Sequence, residues 1–538
     1  MVKKISMLAL AGLIALPAVA SAGAGKAPSD LNSKIDELSR QLEALKAQMA
    51  QQNESISEYG DKVDDMGDML DEKSEAWDLA ARFKFYGDFR SGLYYYNASG
   101  ADYINPMTGQ VEGGPDFSND TLWTNRFRLN MRVKATENVE FKGRLAMYKV
   151  WGMESYSTND MNTWWPQFDG NTTRTPSDNA LRVDRAFVNW NNIGGMPIWF
   201  SIGRRPTTDG SPAQVRLGLD QRVATPTAYM DYPFDGFTFG YAYSWGNEAM
   251  GTGRIRFCYG RGFEDGLQFD ESNFWSSNPA TFYNADDTDF MGFNWDVMKK
   301  GNRLLNLQSF AVVNMFNYPN FQDPIINAMA PSQMGMNRTE GNIYHTTGVY
   351  QDKVSDFTYF LAGGWSQTDP GGHGMFNDFA TAMIPQPDGS MLPNPNWRPN
   401  TDSENGYSVY AGVRYDIPNV GLKFGAEYNW GSEYWIAFSP GHDDLYLSKL
   451  ATRGQVAEIY MIYDLPTGEA ISKYAKTFVR LGYQHYWYDY TGIDWNVKPY
   501  DTDDAGMMTA AYNMAGQSGS LLPVESADQV YLTFDVYF

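Results

Sequence analysis

Lys84, Arg90, Arg126, Arg128, Arg132, Lys134, Lys142 and Arg144 are the residues whose type and spacing point most directly to chemistry. Over 126–134 they alternate with apolar neighbours: Arg126, Arg128, Asn130, Arg132 and Lys134 fall on one side, Phe127, Leu129, Met131 and Val133 on the other. Over 139–148, Lys142, Arg144 and Tyr148 oppose Val139, Phe141, Leu145 and Met147. Period two puts each set on its own face of a strand. A row of cations on one face either attracts anionic solutes, or pairs with carboxylates of neighbouring strands and sets only the shape of an interior. Both readings stand on the sequence. A second charged group lies within 247–288, where Arg254, Arg256, Arg261, Glu264 and Asp265 cluster. Read as a long loop, this stretch either folds inward as a constriction with cationic and anionic sides or lies outside as a flap.

Catalytic chemistry finds little support. The four histidines, at 345, 373, 442 and 485, are far apart. None sits in an H-E-x-x-H pattern, and no G-x-S-x-G elbow is present. The acid groups Asp286, Asp287 and Asp289, and Asp501, Asp503 and Asp504, suit Ca²⁺ in donor type but not in loop spacing. They read first as solvated loop surface. No enzyme, no metal centre and no cofactor is expected.

The elements that must position these side chains follow from pattern. Lys3 and Lys4, the apolar run 5–18 and Ala20-Ser21-Ala22 make an export signal with cleavage expected after Ala22. Removing 1–22 takes away two lysines and leaves 40 − 64 = −24 formal charges. That balance argues against nucleic acid as a partner. The single Cys258 excludes an intrachain disulfide framework. Past the signal no apolar run is long enough for a membrane-crossing helix. Aromatic residues nevertheless make up 15% of the chain, and mean hydropathy is −0.46. An exported chain that is polar on average and rich in aromatics has the composition of a membrane β-barrel, whose strands are only half apolar.

After a linker at 23–30, residues 31–75 read as a coiled-coil helix. Leu31, Ile35, Leu38, Leu42, Leu45, Met49 and Ile56 recur at alternating steps of four and three, with Gln52 the polar exception. So narrow a seam suits another helix better than a broad apolar face. One chain supplies one such helix, so a homo-oligomer is expected, a trimer preferred over a dimer.

From 81 to 538 the period is two. Strands are expected near 82–96, 122–135, 138–149, 180–191, 197–205, 222–232, 236–246, 289–298, 303–316, 341–351, 356–368, 404–416, 420–432, 451–464, 475–490 and 528–538. Sixteen is an even number, and the connections alternate short and long, as in single-chain outer-membrane barrels. The fold class expected is an all-β, sixteen-stranded antiparallel transmembrane barrel preceded by a short coiled coil. An Arg or Lys on the lipid face costs about 2–4 kcal/mol at mid-bilayer, so the basic row must point into the lumen. The last strand places Val530, Leu532, Phe534, Val536 and Phe538 on one face. It is expected to close the barrel against the first strand and to serve as the assembly signal.

Several motifs carry a resemblance. Arg185-Ala186-Phe187-Val188-Asn189-Trp190 with Phe200-Ser201-Ile202-Gly203-Arg204-Arg205 resembles a hairpin common in porin-like families. Ala76 to Phe85, and Phe478 to Tyr483 running on to Asp489-Tyr490-Thr491-Gly492, are similar to porin-like proteins of sulfate- and metal-reducing bacteria. The resemblance implies a Gram-negative outer-membrane porin with a periplasmic coil, in contact with the lipid bilayer and lipopolysaccharide. It would pass small hydrophilic solutes by passive diffusion. A barrel that sheathes a partner, such as a multihaem cytochrome, is the alternative it leaves open. It transfers no binding residue.

Overall fold

The computed structural model describes residues 33–51, 62, 66, 82–152, 173–205, 210–225, 227–232, 234–263, 268–269, 277–278, 286–317, 338–385, 391–439, 444–445, 448–468, 472, 475–515 and 523–538. The chain divides into two units, 1–81 and 82–538. In the first, α1 covers 33–51. Ile35, Leu38, Leu42, Leu45 and Met49 are exposed along it. The expected signal, the linker, Leu31, Ile56 and most of 52–75 lie outside the described residues.

The second unit is a closed antiparallel barrel of sixteen strands. They are β1 Phe83–Gly100, β2 Asp116–Lys134, β3 Val139–Val150, β4 Arg182–Trp190, β5 Ile198–Arg205 and β6 Phe234–Ser244. Then come β7 Thr252–Phe263, β8 Thr288–Lys300, β9 Arg303–Phe316, β10 Thr339–Val354 and β11 Phe357–Pro370. The last five are β12 Asn405–Asp416, β13 Leu422–Gly431, β14 Gly454–Asp464, β15 Lys476–Tyr488 and β16 Val524–Tyr537. Short connections such as 301–302 and 355–356 alternate with long ones such as 371–404. All short turns therefore lie at one end.

Alternation decides which side chains enter. On β16, Tyr531, Thr533 and Asp535 are 2%, 0% and 1% exposed, whereas Val530, Leu532 and Phe534 are 38%, 44% and 42% exposed. Phe239, Phe293, Leu361 and Ile459 extend the same outward apolar belt around the wall. A soluble surface rarely carries so continuous an apolar band; a bilayer covers it, and closure leaves no strand edge without partners. β16 closes the ring against β1, with Leu93 opposite Leu532 and Phe89 opposite Val536. Beyond β16, Phe538 N–H donates to Gly87 O at 3.0 Å, and Phe538 O accepts from Gly87 N–H at 2.9 Å. Gly87 is needed there, since a Cβ would lie 2.4 Å from Arg128 O and 2.8 Å from the Phe538 ring.

The strand count matches the sequence reading, but one strand differs in identity. The stretch 222–232, expected as a strand, is not one, and β7 falls inside 247–288, expected as a loop. Pro226 removes a ladder donor from the first stretch, which Pro tolerates only at edges or bulges. In the second, Arg254, Arg256 and Cys258 alternate with Ile255, Phe257 and Tyr259, a strand pattern obscured by its arginines and glycines.

The lumen is largely filled. Met230, Phe376, Ile436, Phe438 and Trp495, from four long connections, pack on inward-facing Phe290 and Phe310. A second cluster joins Phe379 and Tyr500 to Met508 and Ala511 of α2, Ala505–Ala515.

The closing seam gives a direct test. Deleting Phe538 removes two backbone hydrogen bonds, each worth about 1 kcal/mol net, and the ring over Gly87. The fraction of heat-modifiable, folded barrel on gel electrophoresis is expected to fall several-fold. An unchanged folded fraction would show that closure does not depend on this residue.

Candidate functional site

The connection from β5 to β6 enters the barrel. Within it, Ala213–Leu217 form one short 3₁₀ turn that ends at Gly218, φ +66°. A Cβ on Gly218 would lie 2.9 Å from Lys476 Nζ and 3.2 Å from Lys423 Nζ. The carbonyls that the turn leaves without intrahelical partners are met by cations of the wall. Lys476 Nζ donates to Gly218 O at 2.8 Å, Arg414 Nη1 to Val215 O and Leu219 O at 3.0 Å, and Arg480 Nη1 to Arg216 O at 3.2 Å. Gln214 Nε2 donates to Gln351 Oε1 at 2.6 Å. Asp220 pairs with Arg414 at 2.7 Å and Lys353 at 3.0 Å. Gln221 Nε2 reaches Gly301 O in a short turn at 3.2 Å. The segment therefore descends to the short-turn end. Above, Asp231 N–H donates to Phe438 O, which binds it to the folded-in connection 432–453.

Arg216 fixes the segment to one arc of the wall. Its Nη2 lies 2.9 Å from Glu458 and its Nη1 3.1 Å from Asp444. Lys449 pairs with Glu458 at 2.6 Å and also with Glu427. The hydroxyls of Tyr410 and Tyr531 donate to Glu427 and Glu458, each at 2.6 Å. Gln484 donates to Asp444 at 2.8 Å. Arg216 and Lys449 are 2% and 1% exposed. Removing one partner from such a buried set leaves an uncompensated charge and costs about 3–5 kcal/mol.

The neighbouring arc, β1 to β4, carries the basic row. Arg126 and Arg128 share Asp88 at 3.5 and 2.9 Å. Arg132 and Lys142 share Glu140 at 2.5 and 2.7 Å. Arg144 and Arg174 share Asp184 at 2.5 and 2.7 Å, and Arg90 pairs with Asp535 at 2.6 Å. Lys84 and Lys134 are exposed. The wall is thus an ion-pair lattice, with single carboxylates each shared by two cations. Between this arc and the inserted segment lies a small cavity. Arg126, Arg128, Arg144 and Arg174 line it on one side, Gln214 and Arg216 on the other, with Asp231 the one carboxylate.

Of the constriction expected within 247–288, the described part 252–263 is a strand of the wall rather than a loop. Arg254, Arg256 and Arg261 stand on β7 and pair across to β8: Arg254 with Asp296 at 2.6 Å, Arg256 with Asn294 at 2.6 Å, and Arg261 with Asp289 at 2.7 Å. Glu264 and Asp265 lie outside the described residues. The segment 210–232, expected in part as the strand 222–232, instead enters the lumen. Its signal was available in Pro212 and Pro226, which interrupt any strand, and in Arg216, whose charge needs a partner once buried. Among the described residues no group of three or more His, Cys, Asp and Glu could hold a metal ion.

The sequence decides the family. The chain belongs to the DUF3373 family. That family is described as a protein of unknown function, and the match covers residues 116–538. No curated protein matches the sequence. Among solved structures, OprB of Pseudomonas putida is similar over 88% of this chain and 97% of its own, at 10% identity and TM-score 0.40. The trimer form of OmpT, an outer membrane protein of Vibrio cholerae, covers 85% and 99% at 9% identity and TM-score 0.38. Salmonella typhi OmpF, solved in complex with daunomycin, covers 85% and 97% at 9% identity and TM-score 0.38. These likenesses are distant, and the site rests on this chain's own geometry.

Asp494, on the connection after β15, yields a pH test. Burial pushes its carboxyl up to about 6, against the pull of nearby Arg453. Its Oδ1 accepts from Val497 N–H at 3.2 Å. A carboxyl raised in the folded state holds its proton more tightly there than when unfolded. Its contribution is full below the ordinary value near 3.9 and is lost as pH rises through about 6. Two pH units correspond to about 3 kcal/mol. The packed connection should therefore resist proteolysis better at pH 5 than at pH 7.5, and Asp494→Asn should flatten that difference. An Asp494→Asn protein with the same pH dependence would place its source elsewhere.

Proposed function

We propose that this chain is a channel of a Gram-negative outer membrane that passes small hydrophilic anions by passive diffusion through a slot. The observation that carries the reading is the inserted segment 210–232. It is tied by Arg216 to the acidic arc and leaves the arginines of β2, β3 and residue 174 facing the remaining space. Closely spaced cations in a low-dielectric wall raise the local concentration of anions. The export pattern at 1–22 and the outward apolar belt support outer-membrane placement, with the coil in the periplasm and lipid and lipopolysaccharide around the wall. The exposed seam of α1 supports a homo-oligomer, and a trimer is the assembly we favour. The sheath reading is weakened because the chain's own connections occupy much of the lumen.

Planar-bilayer recordings test this. In a KCl gradient the reversal potential should favour Cl⁻. The double variant Arg126→Gln, Arg174→Gln should reduce that preference while Arg128 and Arg144 still hold Asp88 and Asp184. Insertion events closing in three equal steps would mark a trimer. Cation preference in the unmodified channel, or no ion-permeable state, would contradict the reading.

A further inference from the structure

The barrel wall has one seam unlike the others. Backbone pairing along the β7–β8 seam is found at its two ends, Thr288 opposite Phe263 and Lys299 with Gly251 just before β7. By contrast, β8 and β9 pair from Asp289 with Val313 down to Lys300 with Arg303. Between these ends the seam is tied by side chains. Tyr259 Oη donates to Asp289 at 2.7 Å, Arg256 Nη2 to Asn294 Oδ1 at 2.6 Å, and Thr252 Oγ1 to Lys299 O at 3.4 Å. A missing ladder at membrane depth costs several kcal/mol per unmet backbone group, and is tolerated only where the backbone lines a cavity or lies buried in protein.

A cavity is found there. Its lining crosses the wall: Met291 and Phe293 face outward at 37% and 57% exposure, while Phe310 faces inward at 9%. Its inner part holds Arg205 and Arg256, and no carboxylate lines it. Arg205 Nη1 is buried without a hydrogen-bond partner, and its guanidinium lies 5.7 Å from the centre of the Phe187 ring. A buried guanidinium donor without an acceptor costs about 1–3 kcal/mol or more. An anion that enters the cavity removes that cost. The apolar outer lining asks for hydrocarbon and the inner arginines ask for negative charge.

We propose that the β7–β8 seam is a lateral portal that takes a single-chain amphiphilic carboxylate, its head at Arg205 and Arg256 and its tail between Met291 and Phe293 toward the bilayer. The arrangement is complementary in both charge and polarity, which a doubly hydrated mineral anion or a neutral lipid would not match. The portal is separate from the central slot, so it does not depend on ion conduction.

Cys258 is the single cysteine of the chain and lines the same cavity. The full-length protein in phosphatidylcholine vesicles is treated with N-ethylmaleimide, and alkylation of Cys258 is followed by mass spectrometry. Palmitate should slow the reaction several-fold, and hexadecanol, with the same chain and no charge, should not. Arg205→Gln, which removes no ion pair, should abolish the protection. Equal protection by hexadecanol, no protection by palmitate, protection retained in Arg205→Gln, or a thiol that never reacts would each overturn the proposal. Conductance is not read, so the channel reading can fail while the portal stands, or the reverse.

Discussion

Arg216 is the charge on which the interior depends. A guanidinium 2% exposed inside a barrel must find carboxylates. It finds Glu458 on β14 and Asp444 on the folded-in connection 432–453. Those acids in turn need Lys449 and the hydroxyls of Tyr410 and Tyr531. Three parts of the chain that could otherwise move apart, the inserted turn, the second folded-in connection and the wall, are thus tied to one network. The carbonyls of the turn add a second attachment through Lys423, Lys476, Arg414 and Arg480. Everything else about the lumen follows from where this segment sits. With it on the acidic arc, the cavity left beside it is lined mainly by arginines.

The two arcs differ in how they balance charge. On the acidic arc the compensating cations arrive partly from the inserted segment. On the basic arc the wall supplies both signs, and Asp88, Glu140 and Asp184 are each shared between two cations. Pairing does not erase the field inside the cavity, since several guanidinium groups line it and one carboxylate does. It does hold each arginine in a fixed place, as the proposed anion passage requires. The seam between β7 and β8 is the structural counterpart. There the ladder is kept only at the ends, side chains tie the strands between them, and Arg205 and Arg256 line a cavity that holds no carboxylate.

Much of the barrel is legible from the chain because a bilayer enforces period two so strictly. Arg126, Arg128, Arg132 and Arg144 could be assigned to the inner face from the cost of charge in lipid alone. Their partners could not, because register between strands sets which carboxylate arrives, and register is not written in one strand. The segment 222–232 looked like a strand because Ala228, Tyr229 and Met230 are apolar; they are apolar to pack inside the lumen, not to face lipid. β7 looked like a loop because its inward face carries Arg254 and Arg256 rather than neutral residues. Asp444 and Lys449 lay in a long connection with no pattern to mark them. Their role emerges only when two connections meet inside the barrel.

The central claim is that Arg216 holds the inserted segment in place and so sets the width of the passage. Single-channel conductance of Arg216→Ala against the unmodified protein, both reconstituted in the same bilayer and salt, tests it most directly. The account predicts larger conductance steps for Arg216→Ala, with the barrel still folded, because the segment loses its tie to Glu458 and Asp444 and the lumen widens. Steps of the same size in both proteins would contradict it.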